Sequence, residues 1–128
     1  MIAGGDKAPG LILFAHGARD PGWAEPLELL AAKVRDRAPG RSVRLAFLEL
    51  MQPDLSHAAA ELVDSGVTAI RIVPIFLGQG GHLRRDLPAL VEELRARHPG
   101  ILIDCSPPAG EDEGVLNALA AYCAGNLT

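Results

Sequence analysis

Short, almost uninterrupted apolar runs alternate with amphipathic stretches along this chain, and that alternation is its strongest restriction on fold. The runs are Leu11 to Ala15, Val43 to Leu48, Ala69 to Phe76 and Ile101 to Asp104, with Arg44 and Arg71 the charges inside the second and third. A strand apolar on consecutive residues is buried on both faces, which marks a parallel sheet and not a half-solvated antiparallel one. Between the runs, apolar residues recur at three- and four-residue spacing, as helices require. Trp23 to Arg37 sets Leu27, Leu30, Ala31 and Val34 against Glu25, Glu28, Lys33 and Asp36, and Pro39-Gly40 ends it. Pro53-Asp54 opens a second helix to about Asp64, with Leu55, Ala58, Ala59 and Leu62 inward and Gly66 as the stop. Leu83 to Arg97 forms a third, closed by His98-Pro99-Gly100, and Gly114 to Ala124 a last. Pro74 lies inside the third strand, where a missing amide hydrogen needs a bulge or a strand end.

The order βαβαβαβα predicts one α/β domain: an open parallel sheet of about four strands flanked by helices, with right-handed crossovers. Its bounds are residues 11–124, after a lead over 1–10 and before a tail over 125–128. A flavodoxin-like strand order 2-1-3-4 makes the first and third strands neighbours, and the loops leaving them flank the topological switch point where such sheets bind ligands.

The 128 residues are 48% hydrophobic, enough for a real core, and at 4% aromatic that core is aliphatic. The formal charge is -4 and the basic residues are dispersed, which argues against nucleic acid as a partner. No apolar stretch approaches the ~20 residues of a membrane span, and residues 1–10 lack the apolar centre of a signal peptide. The expectation is a cytoplasmic protein without a membrane partner. Cys105 and Cys123 form no Cys-x-x-Cys pair, so they are expected to be reduced bystanders, not a zinc or thioredoxin-like site.

Chemistry concentrates after the first and third strands. His16 follows the first apolar run in Ala15-His16-Gly17-Ala18-Arg19-Asp20-Pro21, and His82 ends Gly78-Gln79-Gly80-Gly81-His82 after the third. A neutral imidazole there serves as metal ligand, general base or nucleophile. The plainer reading of His16 is a buried histidine satisfying backbone groups at a strand end. The glycines before His82 would let the main chain bend round a ligand just ahead of a helix; a phosphate cradle is the alternative, although the spacing fits no phosphate-binding pattern. Glu49 ends the second strand on the same sheet edge, a third ligand, a proton acceptor or a solvated charge. Arg19, Arg84 and Arg85 border the presumed crevice and suit carboxylates. His57 and His98 are expected to be structural.

Three stretches, Ala15 to Pro21, Ala46-Phe47-Leu48-Glu49 and Val73 to Pro88, occur in the order found in the short CbiX-type sirohydrochlorin chelatases, and the chain resembles that family from about Leu11 to Asn117. The resemblance implies a chelatase fold and insertion of cobalt(II), or in relatives iron(II) or nickel(II), into sirohydrochlorin in cobalamin or sirohaem synthesis. It assigns the metal to His16 and His82 and the acidic position to Glu49, with the metal as substrate and no organic cofactor. It further implies pairing as a homodimer, since longer relatives carry two such domains facing each other. Ala18 departs from the family, which commonly has serine there. The chemistry agrees: two imidazoles and a carboxylate hold a divalent ion and release it, where a four-cysteine cage would retain it. Arginines at a cleft rim suit a polycarboxylate macrocycle. The competing readings are a non-catalytic metal or tetrapyrrole carrier and a histidine phosphatase; the latter usually has arginine directly before its first histidine, where this chain has Phe14-Ala15.

Overall fold

The computed structural model describes residues 9–127, apart from the side chain of His82. Its elements are β1 (Gly10–Ala15), α1 (Glu25–Arg37), β2 (Val43–Phe47), α2 (Leu55–Asp64), β3 (Ala69–Pro74), α3 (Gly81–Arg97), β4 (Leu102–Cys105) and α4 (Glu113–Gly125). Short 3-10 turns at Pro21–Ala24 and Ala109–Glu111 precede α1 and α4. The four strands lie in the order β2-β1-β3-β4, all parallel, as the sequence predicts. Leu13 of β1 sits between Leu45 of β2 and Val73 of β3, so the two middle strands are in contact along their length.

The helices divide as right-handed crossovers in this order demand: α1 on one face, α2 and α3 on the other. Beneath α2 and α3, Ile12, Phe14, Ala46, Ile70, Ile72 and Ile103 meet Ala58, Ala59, Leu62, Leu87, Val91 and Leu94. On the opposite face Leu13 and Val43 pack with Ala31 of α1, aided by Leu11, Leu30, Val34 and Leu45. Over β3 and β4 that second face carries no helix among the described residues: Leu102 is 78% exposed, and the exposed Arg71 and Asp104 pair at 2.6 Å. α4 is exposed at every position, and its main contacts are with the Ala109–Glu111 turn. Among the described residues no helix is long and apolar enough to cross a membrane.

Several boundaries differ from the sequence expectation. The helix expected from Trp23 becomes a 3-10 turn and then α1, because Asp20 caps the turn by accepting from the Gly22 N–H at 2.9 Å and Pro26 at the start of α1 brings no amide hydrogen. β3 ends at Pro74 and not at Phe76. The Ser106 N–H donates to the Ile72 carbonyl, so the hydrogen that Pro74 lacks would face past the end of β4, where no ladder bond is lost. Only residues 9 and 10 of the expected lead are described, and Gly10 already belongs to β1.

Asp54 begins α2 as its N-cap, accepting from the His57 N–H at 2.9 Å, and the same oxygen lies 2.7 Å from His57 Nδ1. His57 is therefore structural, as expected. The backbone hydrogen bond from His57 and then its ring hold the Asp54 carboxyl below its ordinary value of 3.8. A carboxylate lowered on folding stabilises the fold above its unfolded value and stops doing so as pH falls through the folded one. Asp54→Ala should cost about 1 kcal/mol in urea unfolding at neutral pH, and the deficit should shrink below pH 3.8.

Candidate active site

The helix after β1 leaves to one face and the helix after β3 to the other, which opens a crevice at the carboxyl ends of these adjacent strands. His16 stands at the exit of β1, directly after the buried Ala15. It is exposed, so it is not the buried strand-end histidine of the plainer reading. Its ring lies against Phe76, with centroids 4.5 Å apart and planes at 43°. Phe76 is itself buried and meets Phe14 edge-on at 6.0 Å. The imidazole thus rests on an apolar support fixed in the core. The sequence reading overlooked Phe76; the available signal was an aromatic closing an apolar run just before the glycine loop.

The loop carrying His16 is stitched to the loop carrying Glu49. The Leu48 N–H donates to the Ala15 carbonyl at 2.8 Å, and the Glu49 N–H to the His16 carbonyl at 3.1 Å. Gly17 permits this approach: its φ is +92°, and a Cβ there would lie 1.9 Å from the Glu49 carbonyl oxygen. Leu50, next after Glu49, holds φ at +68° without being glycine, a conformation that costs roughly 1–2 kcal/mol and that concentrates at functional sites. The Glu49 side chain is exposed. Among the described residues no group of three or more His, Cys, Asp or Glu could hold a metal.

His82 lies on the first turn of α3 and not in the loop before it, since the helix starts at Gly81, ahead of the expected Leu83. The cause is Gly80, which takes the extended backbone of an N-cap and accepts the Arg84 N–H at 3.0 Å. Pro88, inside α3, cannot donate to the Arg84 carbonyl, which loosens the turn that carries His82 from the rest of the helix.

A cavity of about 300 Å³ beside His16 is lined by Ala15, Trp23, Pro26, Leu27 and Ile75. Arg19 is exposed in the loop that follows His16, whereas Asp20 is occupied as a cap. Arg84 and Arg85 are exposed on α3, and Arg84 borders a different hollow, with Gln79, Leu87 and Cys105. Neither arginine is among the residues that line the cavity beside His16. Burial and then the nearby Asp104 raise the Cys105 thiol above its ordinary value, which favours the unreactive protonated form. A larger cavity, about 850 Å³, runs along the outer edge of β2 between α1 and α2. His16 is not among its lining residues, and the cavity follows from β2 being an edge strand.

A family model described as CbiX matches residues 10–124. Among curated proteins, the sirohydrochlorin cobaltochelatase of Methanopyrus kandleri is 33% identical over 81 residues, which is 63% of this chain and 57% of that protein. The chain thus spans little more than half the length of that relative. A solved CbiX protein from Marinobacter aquaeolei VT8 superposes with a TM-score of 0.83 at 32% identity, covering 94% of this chain and 98% of its own. The sirohydrochlorin chelatase SirB from Bacillus subtilis subspecies spizizenii, solved in complex with cobalt, superposes with a TM-score of 0.71 at 27% identity, covering 92% of this chain and 51% of SirB.

Gly17→Ala should cost more than about 2 kcal/mol in chemical denaturation, because it adds a left-handed alanine to a backbone collision. The comparison Gly78→Ala, where a Cβ meets nothing within 4 Å, should cost far less.

Proposed function

The chain belongs to the CbiX family, and from that premise we propose that it inserts a divalent metal ion, cobalt(II) first among candidates, into sirohydrochlorin. The observation that carries this reading is the placement of His16 at the exit of β1 and His82 on the first turn after β3, the two strands at the switch point. Histidines leaving neighbouring strands about 4.8 Å apart can address one ion. Imidazole nitrogens bind first-row divalent ions firmly enough to collect them and loosely enough to surrender them to a macrocycle. Metal here is a substrate, and no organic cofactor is needed.

Insertion also requires that pyrrole protons leave. Glu49, exposed and joined through the backbone to His16, is the proposed acceptor, with the histidines as the other candidates. The exposed Arg19, in the loop after His16, and the exposed Arg84 and Arg85 of α3 are proposed to receive the carboxylates of the tetrapyrrole. Iron(II) and nickel(II) are further candidate ions, and cobalamin or sirohaem synthesis the proposed setting, in the cytoplasm. A single domain with one wall of a cleft is proposed to pair with a second copy, in keeping with its match to 51% of SirB.

Anaerobic mixing of protein, sirohydrochlorin and cobalt(II), iron(II) or nickel(II), followed by absorbance, should show insertion faster than the spontaneous reaction. Metal binding without acceleration would instead identify a carrier. His16→Ala and His82→Ala should each lower the rate on the order of a hundredfold with far-ultraviolet circular dichroism unchanged; undiminished turnover in both would remove them from the mechanism.

A further inference from the structure

The three phenylalanines of this chain are buried, whereas its one tryptophan, Trp23, is 40% exposed on the wall of the cavity that also holds His16. A large apolar ring in that position differs from a leucine scattered on a surface, because it faces a space shared with a reactive imidazole. Ala15, Pro26, Leu27 and Ile75 make the rest of the wall largely apolar, and His16 is the one titratable side chain among the described residues that line it. The hollow therefore suits the uncharged body of a ligand and leaves a ligand's charges outside.

The indole is also held in place before any ligand arrives. Asp20 caps the Pro21–Ala24 turn, and the Trp23 N–H donates to the Asp20 carbonyl at 3.0 Å. Pro21 and Pro26 fix the backbone on either side of the ring, and the buried Ala24 packs with Ala15 and Phe47 in one small core cluster. Part of the ring meets Phe47, with centroids 6.4 Å apart and planes at 59°. What stays in solvent belongs to a side chain whose position is already set, so a ligand lying on it costs little further ordering.

We propose that Trp23 is a substrate-binding residue, the platform on which the conjugated macrocycle of sirohydrochlorin stacks while the metal enters from His16. This rests on the chelatase reading above and assigns a residue to it. An indole presents a broad π surface, and a flat macrocycle is drawn to it by dispersion and apolar burial, which act over the whole face and need no hydrogen bond. The two aromatics beside His16 then have separate tasks. Phe76, buried, supports the imidazole from the core, and Trp23, exposed, receives the substrate. The carboxylates of the macrocycle lie at its edge, outside the apolar stack, where the exposed Arg19 of the same loop is available to them.

Titration of the metal-free chain with sirohydrochlorin, followed by the absorbance of the pigment, measures its dissociation constant, and calorimetry measures that of cobalt(II). Trp23→Ala, and Trp23→Leu, which keeps apolar bulk without a π face, should each weaken sirohydrochlorin binding about tenfold. Cobalt(II) affinity and far-ultraviolet circular dichroism should not change, and Trp23→Phe should restore most of the lost binding. In the insertion assay the loss should appear in KM and not in kcat, since the stack is made equally before and during insertion. Sirohydrochlorin binding that survives Trp23→Ala or Trp23→Leu, or that Trp23→Phe fails to restore, would overturn the platform and leave the chelatase reading standing. A parallel loss of cobalt(II) binding would also overturn it, by showing that the ring only packs the loop. A wild type that binds cobalt(II) and no sirohydrochlorin would overturn the chelatase reading and the platform together.

Discussion

The parallel pairing of β1 with β3 is the contact on which the rest of this molecule depends. It brings residues far apart in sequence into register, Leu11 beside Arg71 and Phe14 beside Pro74, and sends their exit loops to opposite faces. Both strands are shielded on the α2 and α3 side by aliphatic residues at or near zero exposure, so the spacing between their ends is set by a close-packed interior. A group placed directly after such a strand inherits that rigidity, as His16 does one residue beyond β1, whereas position 82 lies on the first turn of the helix that β3 feeds.

Rigid strand ends alone would leave the loops free. The Gly17 approach to Glu49 removes much of that freedom by letting two main-chain donors from the β2 exit bind acceptors of the β1 exit. The restraint acts on backbone and leaves the Glu49 side chain exposed. An open arrangement of this kind differs from a structural metal site, in which four fixed ligands close around the ion.

The architecture was readable because period carries it. Four charge-poor runs and the helical spacing of Leu27, Leu30, Ala31 and Val34 point to one layered answer, and the strand order follows from packing rules for parallel sheets. Boundaries were less readable where a cap decides them: glycine at position 80 is a weak signal for a helix start, yet it moves His82 from loop to helix. The tertiary neighbours of the site were least readable. The aromatic that closes the third apolar run is a weak signal for a support of His16, since that contact joins two strand ends, and a pattern of apolar residues does not reveal that α4 is exposed along its length.

Phe76 occupies two structures at once. Its ring carries the His16 imidazole, and its carbonyl accepts the Gly110 N–H at the root of α4. In a densely packed interior a displacement is passed on instead of absorbed. The residue therefore ties the seat of the imidazole and the root of the outlying helix to one position in the core.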